Sequence, residues 1–247
     1  MHYTIAIDGT AGAGKGYISD ELAKILNITH LDTGAIYRTV AYACKKYCID
    51  PKNEKEVESL LKKCKIEVIL DGQKQTNMLD GENLGQKIRT AEISDYASVV
   101  STYFAVREFA TNMQHALADK YDIIIEGRDI GTVVLPNAKF KFYVDATPEE
   151  RAKRRMLQNN SPESEYESIL SAIIERDERD KTRKISPLKK ADDAIYIDTT
   201  HLTREEVVNL ILSYIKKWAF KPTFFKDNFL NFEYFFPVNL EVFCIKQ

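Results

Sequence analysis

The chain has 247 residues, 44% of them hydrophobic and 29% charged, with a net charge of −2. That length and composition suit one large globular domain, or one domain with appendages. They exclude a basic footprint for long nucleic acid, and no apolar run reaches the roughly 18 residues of a membrane span.

The start, MHYTIAID, runs directly into an apolar strand, so no secretory signal is expected. The four cysteines, Cys44, Cys48, Cys64 and Cys244, lack histidines at metal-like spacing. Cys44 and Cys48 are placed to share a helix face, and all four read as thiols in a reducing cytoplasm.

Residues 4–19, TIAIDGTAGAGKGYIS, give a short buried strand, a glycine loop and the start of a helix. The loop is Gly9, Thr10, Ala11, Gly12, Ala13, Gly14, Lys15 and Gly16. Strand, Gly-x-x-x-x-Gly-Lys and helix in that order is a phosphate-binding loop in its required setting. Glycines let backbone N–H groups turn toward phosphate oxygens, the helix N-terminus adds partial positive charge, and Lys15 adds a full one. Ile18, Leu22 and Ile25 are expected to form the helix's buried stripe.

A second strand at Ile28–Leu31 ends in Asp32-Thr33-Gly34, a turn suited to capping the next helix. Arg38 lies one turn into that helix, just beyond the strand's carboxyl end, where open α/β sheets bind ligands. Residues 54–64 form a short amphipathic helix. Ile66–Leu70, the Asp71-Gly72 turn and a second strand near Gln75–Leu79 break the βα rhythm as a small antiparallel insert. Arg89 leaves the insert and precedes a long helical region, 91–119, which carries Ser98 and Arg107. Its apolar set Val99, Val106, Phe109, Met113 and Leu117 is core.

Residues 121–134, YDIIIEGRDIGTVV, contain a buried strand that ends in Glu126-Gly127-Arg128-Asp129. In a chain with a phosphate loop, Glu126 is placed to reach magnesium, directly or through water. Arg128 offers a guanidinium for phosphate, and Asp129 a carboxylate for donor groups on a base or sugar. Phe140–Val144 is a further strand. Thr147, Pro148 and Glu150 then open a helix through a capping box. That helix, with a second over roughly 163–180, carries Arg151, Arg154, Arg155, Arg176, Arg179 and Arg183. The pair suits a mobile lid that closes over ATP and neutralises a transferring phosphoryl group. Ala194–Asp198 and Thr203–Trp218, the latter with a Thr203/Glu206 box, close the domain. In the remaining segment, 219–247, lie eight of the twelve phenylalanines. It is too apolar for a disordered linker; a wrap onto the domain, a partner surface and a segment foreign to the original fold are the alternatives it leaves open.

Gly-Thr-Ala-Gly-Ala-Gly-Lys-Gly at 9–16, Leu-Asp-Thr-Gly-Ala-Ile-Tyr-Arg at 31–38, Ile-Arg-Thr at 88–90, Glu-Gly-Arg-Asp-Ile-Gly-Thr-Val-Val at 126–134 and Glu-Arg-Asp-Glu-Arg-Asp-Lys-Thr-Arg at 175–183 resemble the bacterial cytidylate kinases. The likeness runs in order through residues 3–218. It implies an α/β fold with a P-loop NTPase-type parallel sheet flanked by helices, an antiparallel monophosphate-binding insert at about 66–90 and a helical lid at about 148–183. The 219–247 tail has no counterpart. It implies a cytoplasmic enzyme that moves the ATP γ-phosphoryl group to CMP or dCMP. Magnesium would arrive with ATP. No nucleic-acid polymer or membrane is expected as a partner, and the expected state is a monomer.

By the same resemblance, residues 9–17 and Arg154 would hold ATP. Lys15, Arg128, Arg176 and Arg183 would act on the phosphoryl in transit. Thr33, Arg38, Arg128 and Arg183 would hold the monophosphate, Ser98, Arg107 and Asp129 would read cytosine, and Asp180 would hold the ribose. No direct protein ligand to magnesium is expected, with Glu126 acting through water. The family usually has Thr or Ser where this chain has Tyr17. A kinase for UMP or dTMP, and a nucleotide-binding regulator without turnover, stand as alternatives. A GTPase lacks its Asn-Lys-x-Asp run.

Overall fold

The computed structural model describes residues 2–72 and 74–219. Packing divides the chain into two units, Met1–Val208 and Asn209–Gln247. The first holds five parallel strands in the order β2-β6-β1-β7-β8: β1 (Thr4–Gly9), β2 (Thr29–Asp32), β6 (Ile123–Glu126), β7 (Phe140–Asp145) and β8 (Ile195–Asp198). Continuous apolar runs make this possible, because a parallel sheet covered by helices is buried on both faces. Ile5, Ala6, Ile7, Ile123, Ile124 and Ile125 are all fully buried. In register, Ala6 stands beside Ile125 on one side and Lys141 on the other. The chain fills the β2 and β6 side of β1 before crossing to β7 and β8. The carboxyl end of β1, carrying the glycine loop, therefore lies at the reversal of strand order where such sheets hold ligands.

Helices α1 (Lys15–Leu26), α2 (Thr33–Lys46), α3 (Glu54–Leu61), α4 (Ala91–Val100), α5 (Phe104–Ala118), α6 (Pro148–Asn159) and α7 (Tyr166–Thr182) belong to the first unit. Helix α8 (Arg204–Ala219) begins there and runs into the second. The antiparallel sheet contains β3 (Ile66–Asp71), β4 (Lys74–Leu79) and a short β5 (Glu82–Asn83) that the sequence pattern did not indicate. Its Ile66 and Leu79, with Leu84 just after β5, join Val40 and Cys44 of α2 and Ile93 and Val100 of α4 in one core cluster. The insert is thus built into the body rather than tethered to it. The aromatic segment 220–247 lies outside the described residues. None of the described helices is long and apolar enough to cross a membrane.

Four local expectations are corrected. The helical region over 91–119 forms, but as two helices rather than one continuous one. Ser101 and Thr102 hydroxyls donate to the Ser98 and Val99 carbonyls at 3.0 and 2.7 Å, and the Tyr103 hydroxyl reaches the Pro51 carbonyl at 2.9 Å. Side-chain bonds of this kind compete with the helical ladder and end it. The Ile18 and Leu22 stripe holds, but Ile25 is 37% exposed and Ala23 is buried in its place. Cys48 lies beyond the end of α2 at φ +55°, exposed, while Cys44 is buried in that helix, so the two share no face. The box at Thr147 is half made: its hydroxyl accepts from the Glu150 N–H, but the Glu150 carboxylate takes Arg154 instead. At Thr203 and Glu206 both halves form, at 3.2 and 2.8 Å.

Candidate functional site

A cleft of about 1030 Å³ opens in the first unit over the carboxyl ends of β1, β2 and β6. One end of it is the glycine loop. Gly9 lets β1 leave the sheet: at φ +144° any Cβ there would lie 1.8 Å from the Val144 carbonyl oxygen. Thr10 anchors the exit by donating to Asp145 at 2.6 Å. Gly9 and Thr10 lie beneath the cleft wall; Ala11, Gly12, Ala13, Gly14, Lys15, Gly16 and Tyr17 form it. Lys15 Nζ folds under the loop and donates to the Gly9 and Thr10 carbonyls at 2.9 and 2.6 Å. Burial, then the nearby Arg128 charge, depress its pKa to about 7. Such a lysine is short of anionic partners, which a polyphosphate in the loop would supply.

Arg151 serves this loop, not a mobile lid. It is buried, forks onto Asp177 of α7 at 3.1 and 2.5 Å, and donates to the Ala11 and Ala146 carbonyls at 3.1 and 2.9 Å. Arg154 lines the cleft and is held by Glu150 and Thr199. Arg155 and Arg176 line it as well. Tyr17 carries the Arg204 guanidinium over its ring, 4.9 Å from the centroid.

The other end of the cleft is built from arginine–aspartate pairs. Asp32 caps α2 by accepting from the Ala35 N–H at 3.1 Å, and its second oxygen takes Arg38 at 2.5 Å. Burial alone would raise this carboxyl, but Arg38 and then Arg89 hold it below the usual carboxylate range. Gln75 of the insert brackets the Asp32 backbone, accepting from its N–H at 2.8 Å and donating to its carbonyl at 3.2 Å. The Thr33 hydroxyl donates to the Glu126 carbonyl at 2.7 Å. Asp129 takes Arg107 on one oxygen and Arg183 on the other, the latter at 3.4 Å. The break between α4 and α5 frees the Ser101 carbonyl for Arg107 at 3.1 Å. Arg128 Nε donates to Asp180 at 3.0 Å. Burial raises the Asp180 carboxyl, and Arg128 and Arg176 reverse this to leave it lowered. The Arg176 Nε, like those of Arg38 and Arg107, makes no hydrogen bond, and burial, then Arg128, lower the Arg176 pKa to about 10. Ser98 lies on the same wall.

Every site residue singled out from the sequence, save Gly9, Thr10 and Arg179, therefore borders this cleft; Arg179 is exposed on α7 and is not part of the cleft wall. Three supporting residues escaped that reading. Asp8 accepts from the Ile130 and Gly131 N–H groups at 2.8 and 2.7 Å and so shapes the turn that presents Arg128 and Asp129; burial pushes its pKa up to about 6. Its only signal is a carboxylate inside an apolar strand. Gln75 carries no signal at all. His30 stands between Asp20, 2.6 Å from Nδ1, and Glu126, 3.4 Å from Nε2. Burial disfavours its charged form, yet the two carboxylates prevail and raise its pKa to about 9.

No group of three or more His, Cys, Asp or Glu suited to a metal occurs among the described residues. A magnesium that travels with a nucleotide needs little more than one carboxylate, since phosphates and waters complete its shell. Glu126 fits that part. Its carboxylate borders the cleft beside Gly16, where a Cβ would come within 3.4 Å of Oε1.

Comparison with known proteins agrees with this architecture. The family model described as cytidylate kinase matches residues 5–217. A cytidylate kinase of Caldicellulosiruptor bescii is 46% identical over 215 residues, covering 86% of this chain and 95% of the relative. One of Bacillus cereus is 42% identical over 214 residues, with the same coverage of 86% and 95%. With a match of that extent, and with each motif of the sequence gathered around one cleft, this chain belongs to the cytidylate kinase family.

Proposed function

We propose the following division of labour for the ATP-dependent phosphorylation of CMP or dCMP, the reaction of the cytidylate kinases. The glycine loop and Lys15 hold the ATP phosphates, with Tyr17 and Arg154 at the same end. Arg38, Arg128, Arg183 and Thr33 hold the acceptor phosphate. Ser98, Arg107 and Asp129 read the cytosine edge, and Asp180 holds the ribose. The observation that carries this reading is the presence, in one cleft, of a phosphate loop at one end and a separate set of aspartate-aligned arginines at the other. A protein that only bound ATP would have no need for the second set.

Phosphoryl transfer asks for positioning and charge neutralisation more than for covalent chemistry. The bond from the γ-phosphorus to its bridging oxygen breaks as a bond to a CMP phosphate oxygen forms, so no general base is required. Magnesium, when bound, offsets charge on the phosphate oxygens. Glu126 would reach it through water. Arg176, aimed into the cleft with its Nε free of hydrogen bonds, meets the phosphoryl in transit together with Arg128 and Arg183. Closure of the α6–α7 hairpin excludes the water that would otherwise consume ATP. Cys44, Cys48 and Cys64 are free thiols, which suits the cytoplasm, and a monomer suffices because one chain supplies the whole cleft.

The test is ADP formation from ATP and magnesium with CMP, dCMP, UMP, dTMP or AMP as acceptor. Turnover greatest with CMP and dCMP is expected. Preference for UMP or dTMP would overturn the base-reading assignment, and ATP binding without turnover on any acceptor would overturn the kinase reading.

A further inference from the structure

Asp20, His30 and Glu126 form a line of charge that runs from an exposed carboxylate on α1, through a buried imidazole, to the mouth of the glycine loop. Its geometry follows from the sheet. His30 pairs in register with Ile124 on the neighbouring strand, so Glu126, two residues on, shares its face. Asp20 stands one turn beyond Gly16 on α1 and holds Nδ1 at 2.6 Å. That leaves Nε2 buried, without a hydrogen bond, 3.4 Å from Glu126 Oε1. The same oxygen is the one that would meet a Cβ on Gly16 at 3.4 Å. The absent side chain at Gly16 and the present one at His30 therefore act on one carboxylate from opposite sides: one leaves it space, the other holds it there.

The alternative fates of that carboxylate are close at hand. Lys15 and Arg128 both feel the Glu126 charge. A carboxylate not held from behind would turn toward these cations and spend its charge on groups that should face phosphate. We propose that His30, anchored by Asp20, is a positioning residue that keeps Glu126 aimed past Gly16 at the glycine loop and so sets how strongly the magnesium of a bound nucleotide is held. The inference rests on the reading of this end of the cleft as the ATP site. It assigns His30 no contact with nucleotide; its effect passes through Glu126, as outer hydrogen-bond partners orient metal-binding carboxylates elsewhere.

Calorimetric titration of the full chain with ADP, in magnesium and in EDTA, tests it. His30→Leu should weaken ADP binding about tenfold in magnesium and by less than about twofold in EDTA, the range expected for loss of an outer partner. His30→Gln, whose amide nitrogen can donate to Glu126, should recover most of the loss. Asp20→Asn changes an exposed side chain, so it leaves folding intact and should shift the magnesium arm alone, by a smaller factor. On a Glu126→Gln background, His30→Leu should cost nothing further. Equal losses in the two arms would make His30 merely structural, and unchanged magnesium binding in His30→Leu and Asp20→Asn would remove its role; either overturns the proposal. Failure of the wild-type chain to bind ADP in either arm would instead overturn the reading of the cleft.

Discussion

On the proposed assignment, the two ends of the cleft solve one problem, holding phosphate, with different materials. The loop end is backbone: carbonyls and N–H groups of consecutive residues, one lysine tucked beneath them, and Arg151 bracing them from behind. The opposite end is side chain: Arg38, Arg107, Arg128 and Arg183 arrive from four separate elements, each held by an aspartate. Backbone gives tolerance, since any polyphosphate fits a ring of N–H groups. Aligned guanidinium groups give selectivity, since they accept one placement of a planar or tetrahedral anion. In a kinase of this kind the donor is held by its phosphates and the acceptor must be chosen, and the materials follow that division.

The comparison can be broken, starting with the largest expected effect. Arg151→Ala leaves Asp177 buried and unpaired, so it should destabilise the protein by about 3–5 kcal/mol. Urea denaturation would measure this, and a loss typical of a surface residue would return Arg151 to the lid. Lys15→Ala should lower kcat by about a hundredfold or more, the cost of removing a preorganised charge from a developing one. Near-normal turnover would remove the loop from catalysis. Arg38→Ala should raise KM for CMP by at least about tenfold, consistent with truncating one partner of a desolvated pair. KM for ATP should hardly move; equal rises for both substrates would mean that the two ends are not separate sites. The smallest effect sharpens the contrast. Lys15 has a pKa of about 7 in the free protein, and phosphate contacts must raise it. ATP binding should therefore take up protons at pH 8 and not at pH 6, with affinity falling as pH rises past 7. Calorimetry in two buffers of different ionisation enthalpy reads this directly, and uptake independent of pH would contradict it.

How far each end was legible in the sequence follows from the same contrast. The loop is contiguous, so residues 9–16 announce it without a fold. Arg128 and Asp129 were legible because they directly follow an apolar strand. Arg151 was misread because an arginine in a charged helix looks the same whether it faces water or a buried aspartate 26 residues away. Asp8, Gln75 and His30 act on partners 122, 43 and 96 residues distant, and no local pattern encodes such pairs. The break after Val100 was hidden because helix-compatible residues continue through it; two hydroxyls and the Tyr103 bond to Pro51 decide it. Tyr17 was visible as a departure from the family, but its stacking partner Arg204 was not.

Arg151 carries one more consequence. A single guanidinium bonds to the loop, to the turn after β7 and to α7, so these pieces cannot open one at a time. In the language of native-state exchange they form one cooperative unit, with a shared opening free energy. The amides around Asp177 then inherit protection from whatever tightens the loop. A nucleotide bound at Ala11–Lys15 should slow their exchange without touching them, and the pivot of the proposed lid would be confined to the stretch of hairpin between Arg151 and Asp177.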